Sequence, residues 1–190
     1  LIIRFSKRFN FYDSPNHRKH HKAPIPLLGG VAIYIGFIVP ILLLVPLTQQ
    51  TLSILVGATL ILLLGIVDDL MGLSAIKKLM VQLLVALFTV RSGLVVHFIS
   101  NPLGELVQLD WLSMPLTVLW IVGVINALNL IDGVDGLASG ITAISSGMLA
   151  IIAYQTGQIH VAMIILILMG ACSGFLFFNF APAKIFLGDS

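Results

Sequence analysis

Long uncharged runs cut by short polar segments dominate the pattern of this chain. Leu27–Leu47 holds 21 residues without a charge, and roughly 20 apolar residues in helical form cross the hydrocarbon core of a bilayer. Leu52–Val67, Leu79–Ile99, Trp111–Ile131, Leu137–Tyr154 and Ile159–Phe180 follow as further runs. The pattern predicts six helical spans, with Leu1–Phe11 as the end of an earlier helix. Pro40 is expected to kink the first span. The third is the weakest, because Arg91 interrupts it; near the outer end of a span its side chain can snorkel to the interface. Trp111 and Tyr154 stand at span ends, where aromatic belts lie. The polar connectors are Tyr12–Pro26, Thr48–Thr51, a loop after Asp68-Asp69 that carries Lys77 and Lys78, and Ser100–Asp110. No internal repeat is visible.

Six alternating spans sort the connectors by side. Residues 1–26, 68–78, 132–136 and 181–190 then share one face. Nine of the ten Lys and Arg lie there: Arg4, Lys7, Arg8, Arg18, Lys19, Lys22, Lys77, Lys78 and Lys184. Cytoplasmic loops carry an excess of Lys and Arg, so this face is expected to be cytoplasmic. Six of the eight acidic residues join them: Asp13, Asp68, Asp69, Asp132, Asp135 and Asp189. Three acidic motifs therefore converge on one membrane surface.

Composition agrees with this reading. Hydrophobic residues make up 58 % of the chain and charged residues 9 %, with a mean hydropathy of +1.09, whereas soluble domains carry about 25 % charged residues. A soluble domain is excluded, and no nucleic-acid partner is expected. The fold expected is all-α, a polytopic transmembrane helical bundle forming a single integral-membrane domain. The lone Cys172 sits in an apolar run and reads as a small core residue. The chain starts without Met and stops directly after a polar motif, so it reads as a piece of a longer protein.

The polar motifs carry the chemistry. Asn126–Gly140, NALNLIDGVDGLASG, sets two asparagines, two aspartates and three glycines between two spans. Carboxylates beside a membrane helix need a partner. Asn126, Asn129 and Asp132 recur at intervals of three and would form a slowly drifting stripe on a helix. Their oxygen donors suit a hard cation, and Mg²⁺ commonly takes one or two protein ligands beside phosphate oxygens. Gly133 and Gly136 lack a Cβ, so backbone can approach a ligand there. The blander reading is a helix end capped by turn-forming residues. Asp68-Asp69 closes the second span, and adjacent carboxylates repel unless a cation or the nearby Lys77 and Lys78 neutralise them. Gly188-Asp189-Ser190 is weak alone and gains weight by landing on the same face. The His17, His20, His21, Arg18, Lys19 and Lys22 cluster reads as a solvated basic loop or an anion-binding one. Gly29-Gly30 would let helices pack closely. A cation beside basic residues at a membrane surface suggests diphosphate chemistry. A cation- or proton-coupled transporter is the alternative of another class; against it, the carboxylates gather at a surface rather than near the midplane.

HKAPIPLLGG, GIVDDL, NALNLIDGVDGLASG and NFAPAKIFLGDS, in this order, resemble the polyprenyl-phosphate N-acetylhexosamine-1-phosphate transferases of glycosyltransferase family 4. The pattern is most similar to the bacterial undecaprenyl-phosphate N-acetylglucosamine 1-phosphate transferases; the phospho-N-acetylmuramoyl-pentapeptide transferases are the runner-up. The resemblance implies ten or eleven spans, about six of them here. It implies transfer of a sugar 1-phosphate from a UDP-N-acetylhexosamine to undecaprenyl phosphate, with release of UMP, as a first membrane step of cell-envelope polysaccharide synthesis. Mg²⁺, with Mn²⁺ as a substitute, is the implied cofactor, held by Asn129 and Asp189. Asp68, Asp69, Asp132 and Asp135 are the implied catalytic residues. Lys22, Lys77, Lys78, Asn126 and Gly133 are expected to bind substrate. The implied location is the bacterial inner membrane, with the active site on its cytoplasmic face, and a homodimer is an open option.

Overall fold

The computed structural model describes residues 12–13, 25–26, 28–100 and 104–188. The expected helix end at Leu1–Phe11, the basic cluster that includes Lys22, and Asp189-Ser190 lie outside the described residues.

Among the described residues six helices form where six apolar runs were expected: α1 Gly29–Leu44, α2 Gln49–Met71, α3 Ala75–Arg91, α4 Ser113–Ile131, α5 Leu137–Gln155 and α6 Ile159–Asn179. Each packs on its neighbours in sequence, and α1 against α6 closes the ring, with α5–α6 the most extensive pair. Four are long and apolar enough to cross a membrane: α2, α4 with the 3-10 turn that leads into it, α5 and α6. The other two of the six expected spans are shorter. α1 has 16 residues and α3 has 17. At 1.5 Å per residue these reach about 24 and 26 Å, short of a hydrocarbon core of about 30 Å.

Boundaries move for local reasons. α2 runs past Asp68-Asp69 to Met71 and stops at Gly72, whose φ of 63° lets its N–H bond the Asp68 carbonyl at 2.8 Å. Thr48 starts the same helix, its hydroxyl accepting from the Thr51 N–H at 3.2 Å; this is an ordinary N-cap. The connector to α3 is only residues 72–74, so Lys77 and Lys78 sit in the first turn of α3 rather than in a loop. α3 ends at Arg91, not at Ile99, because Gly93 turns with φ of 98°. The chain then forms β3 (Phe98–Ser100) and β4 (Leu106–Gln108), an antiparallel pair where the end of the third span and a plain loop were expected. A second small ladder joins β1 (Tyr12–Asp13) to β2 (Ile25–Pro26). The helical class stands with these two minor additions. α1 continues through Pro40.

The core is divided between helix pairs. Phe37, Ile41 and Val45 pack with Leu55, against Met163, Ile164 and Ile167 of α6. Ala86 and Val90 of α3 meet Val118 and Val122 of α4. Elsewhere the helices present large apolar side chains outward, among them Leu43, Leu63, Leu84, Leu119 and Phe177. In lipid such residues need no protein cover, and close contact between helices relies on small residues. Gly36 against Ala171 and Gly57 against Thr89 and Val85 show this.

Candidate active site

One end of the ring gathers four segments: the end of α2, the 132–136 turn between α4 and α5, residues 180–188 after α6, and the start of α1. Buried groups and backbone bonds tie them together. Asn179, the last residue of α6, is 2 % exposed. Its Oδ1 accepts the Gly136 N–H at 3.1 Å and the Ser139 hydroxyl at 3.0 Å. Its Nδ2 donates to the Ile185 carbonyl at 3.0 Å. One carboxamide thus fixes the turn before α5 to the strap after α6. A buried amide so fully bonded avoids the penalty that an unsatisfied polar group would carry.

Asp135 adds a second tie. Its Oδ2 accepts the Ala183 N–H at 3.1 Å. The strap next meets α1: the Gly29 and Gly30 N–H groups donate to the Phe186 and Leu187 carbonyls at 3.0 and 3.1 Å. A Cβ on Gly29 would fall 2.5 Å from the Phe186 carbonyl oxygen and 2.5 Å from Phe175 Cζ. Gly29 therefore serves close contact both with this loop and with Phe175 of α6, the second being the helix packing expected here.

The strap ends against α2. A Cβ on Gly188 would lie 2.8 Å from Asp69 Oδ2, so the Asp69 carboxylate stands directly on this glycine. Gly188 is the residue bonded to Asp189. Asp68 has other surroundings. It is 6 % exposed, its Oδ1 accepts the Leu73 N–H at 2.6 Å, and its Oδ2 forms an ion pair with Lys78. The two adjacent carboxylates thus point to different tasks: Asp68 closes the α2–α3 turn, and Asp69 faces the strap.

The remaining predicted residues divide similarly. Asn126 donates to Gln82 Oε1 of α3 at 2.7 Å and to the Val122 carbonyl at 2.8 Å. The expected stripe therefore splits, with Asn126 joining two helices while Asn129 lies exposed in the last turn of α4. Asp132 caps α4, its N–H bonded to the Leu128 carbonyl at 3.1 Å. Gly133 is exposed with open space above its Cα, whereas Gly136 is buried with φ of 74° and 3.1 Å from Leu176 Cδ1 to an added Cβ. The steric demand for glycine lies at Gly136. Lys77 is exposed, and Lys78 is half-buried on Asp68. Sequence reasoning missed Asn179, Ser139 and Gln82. A signal was present for each, since a carboxamide or hydroxyl inside an apolar run needs a partner.

Oxygen donors dominate this end. Among the described residues, His97 follows the far end of α3 and His160 lies in the first turn of α6, so carboxylate, carboxamide and carbonyl groups are the donors at this end. Among the described residues no three acidic, His or Cys side chains come together as a metal cage. That chemistry fits a hard cation held by one or two protein groups beside a phosphate.

Comparison with known proteins gives one answer. The profile described as glycosyl transferase family 4 matches residues 51–190. A probable undecaprenyl-phosphate N-acetylglucosaminyl 1-phosphate transferase of Bacillus subtilis (strain 168) is 43 % identical over 100 % of this chain and 54 % of its own length. A decaprenyl-phosphate N-acetylglucosaminephosphotransferase of Mycolicibacterium smegmatis is 36 % identical over 96 % of the chain and 50 % of its own length. A phospho-N-acetylmuramoyl-pentapeptide-transferase of Wolbachia pipientis wMel is 36 % identical over 88 % of the chain and 56 % of its own length. The chain spans about half the length of these curated relatives. With its apolar helices it is an integral membrane protein, and it belongs to glycosyl transferase family 4.

Proposed function

We propose that the protein transfers N-acetylglucosamine 1-phosphate from UDP-N-acetylglucosamine to undecaprenyl phosphate, at the cytoplasmic face of a bacterial inner membrane. The observation that carries this reading is the strap: Asp135 and Asn179 hold it at Ala183 and Ile185 and Gly188 lies against Asp69, so it meets the Asp68-Asp69 and Asp132–Asp135 motifs at one end of the bundle. The 43 % identical relative, named for this sugar, supports it over the muramoyl-pentapeptide alternative, whose named relative here is 36 % identical.

In this reading Asp69 takes the proton of the monoanionic lipid phosphate. The freed oxygen attacks the sugar-bearing phosphorus, the bridging phosphoanhydride bond breaks, and UMP leaves. Asp68 holds the α2–α3 turn through Leu73 and Lys78, which keeps Asp69 on the strap. Asp135 fixes the strap, and Asp132 stands beside it on the same turn. Lys77 and Lys22 are the cationic groups offered to the donor's phosphates. Asn129 and Asp189 would hold Mg²⁺, or Mn²⁺ in its place. Bound there, the metal would neutralise charge on the diphosphate.

The test is transfer itself. Membranes carrying the intact protein are incubated with undecaprenyl phosphate and radiolabelled UDP-N-acetylglucosamine. Label should pass into the organic-extractable lipid, with one UMP formed per lipid product. Label that enters sealed vesicles without a lipid product would indicate transport instead. Transfer only from UDP-N-acetylmuramoyl-pentapeptide would shift the assignment to the runner-up.

A further inference from the structure

The β3–β4 hairpin lies at the other end of the bundle. α2 ends beside the carboxylates, α3 returns from there through a three-residue turn, and the hairpin follows the far end of α3. Two-stranded hairpins are marginal in water by themselves, and this one carries apolar side chains into the open. Phe98 is 57 % exposed, Ile99 51 %, Leu106 64 % and Val107 44 %. Trp111, at the hairpin's root, is 81 % exposed. The hairpin is nevertheless fixed to the bundle, where the Val96 N–H donates to Thr117 Oγ1 at 3.0 Å, and its root is closed by the Leu109 N–H donating to the His97 carbonyl at 2.9 Å.

The register separates its two faces, because successive side chains on a strand point to opposite sides. Ile99 pairs with Val107, so one face is wholly apolar. Phe98 pairs with Gln108 and Ser100 with Leu106, so the other face is mixed. A cavity of about 250 Å³ opens on that side, lined by His97, Phe98, Gln108, Asp110 and Ser113. The hairpin is thus amphipathic across its thickness.

We infer that the hairpin is an interfacial membrane element, seated in the leaflet opposite the carboxylate-bearing end. Its Ile99–Val107 face rests toward the acyl chains, and its Gln108 face toward headgroups and water. Continuity with the lipid-facing helices identifies the occupant. Trp111 directly precedes α4, whose outward residues Leu116, Leu119 and Trp120 are exposed for lipid. Arg91, exposed at the end of α3, offers a cation at headgroup depth. Tyr154 lies exposed at the same end of α5 and, with Trp111, supplies the aromatic belt that marks a membrane interface. An apolar strand face level with this belt is covered by lipid without any protein partner. The consequence is mechanical: the hairpin sets how deep α3 and α4 sit, and α3 by itself is shorter than the hydrocarbon core.

Site-directed spin labelling tests this independently of catalysis. The intact protein, with native cysteines replaced, is labelled at Val107→Cys or Gln108→Cys and reconstituted in vesicles of phosphatidylethanolamine and phosphatidylglycerol. Relaxation by oxygen and by a water-soluble nickel chelate is then compared. The Val107 label should favour oxygen and the adjacent Gln108 label the chelate, a reversal between neighbours. A chelate-favoured signal at both sites would put the hairpin in water and overturn the inference. So would a Val107 label immobile and shielded from both reagents, since that means a protein surface covers it. Neither result touches the transfer assay.

Discussion

Lys78→Met is the perturbation that most directly tests how the acidic end is built. The Asp68 side chain is 4 % exposed and that of Lys78 is 25 % exposed. Removing Lys78 takes the cation away from a buried carboxylate that still accepts from the Leu73 N–H. Breaking one partner of a buried pair costs about 3–5 kcal/mol, because the other charge stays uncompensated. Lys78 reaches solvent in part, so the lower end, about 3 kcal/mol, applies here. Asp68→Asn is milder. The amide keeps its acceptor for Leu73, and the orphaned ammonium can turn to water. A cost of about 1.5–2 kcal/mol is expected, at the lower end for a hydrogen bond to a charged group. The double variant should therefore be more stable than Lys78→Met alone, with a coupling energy of at least about 1 kcal/mol. Denaturant unfolding of the detergent-solubilised intact protein measures all four corners of the cycle. Additive effects, or a Lys78→Met change under about 0.5 kcal/mol, would refute the buried pair. The same four proteins separate chemistry from folding. If Asp68 only holds the turn, the double variant should regain turnover along with stability. Stability recovered without turnover would make Asp68 a chemical group.

Asp69→Asn should fold normally, keep donor binding within a few-fold, and lose about 10²–10⁴-fold in turnover, as removal of a proton acceptor does; near wild-type turnover would move the reaction centre elsewhere. Asn179→Ala leaves the Gly136 N–H, the Ser139 hydroxyl and the Ile185 carbonyl short of their shared partner, and each buried group so left costs about 1–3 kcal/mol. A melting temperature equal to that of the parent would disprove that tie. Asp189→Ala and Asn129→Ala should each raise the Mg²⁺ concentration needed for half-maximal transfer, and an unchanged metal dependence in both removes them from the metal site. Cysteines placed at Ser74 and Gln108 should react with impermeant reagent from opposite sides of sealed vesicles, and reaction from the same side would defeat the topology.

The helices were legible because each is an apolar run punctuated by a Pro, a Gly or charges, and those signals are local. Their ends were less so. Whether α2 stops at Val67 or Met71 depends on Gly72 adopting a positive φ, and several other glycines here look the same in sequence. Lys77 and Lys78 read as loop residues because charge was taken to end a span; a lysine on a buried aspartate removes that objection. The convergence of acidic motifs on one face followed from counting spans, and it holds at Gly188 against Asp69 and at Ala183 against Asp135. Division of labour within the motifs could not be read that way. Asp68 and Asp69 are chemically identical and adjacent, and only their neighbours in space distinguish them. Asn126 and Asn129 share a motif, yet Gln82, 44 residues earlier, claims the first.

The strap also explains why so many glycines and buried amides cluster here without a large hydrophobic core. Residues 180–188 have left α6, so their backbone groups need partners from outside a helix. Four such groups are met by side chains or by the start of another helix: Ala183 by Asp135, Ile185 by Asn179, and Phe186 and Leu187 by the first turn of α1. The free N–H groups of a helix start are suited to that last task. Close approach then demands Gly29, because any Cβ would strike the Phe186 carbonyl. Gly29→Ala should consequently act as a steric wedge between α1 and the strap. Overpacking of this kind costs about 1–3 kcal/mol, and here the displaced atoms are backbone, which cannot rotate aside. Because Gly188 stands at the end of the same strap on Asp69, the wedge should lower turnover more than donor affinity. Gly123→Ala is the matched control, since its added methyl meets nothing within 4 Å. Equal turnover in the two variants would show that the α1 contact does not set the position of the strap.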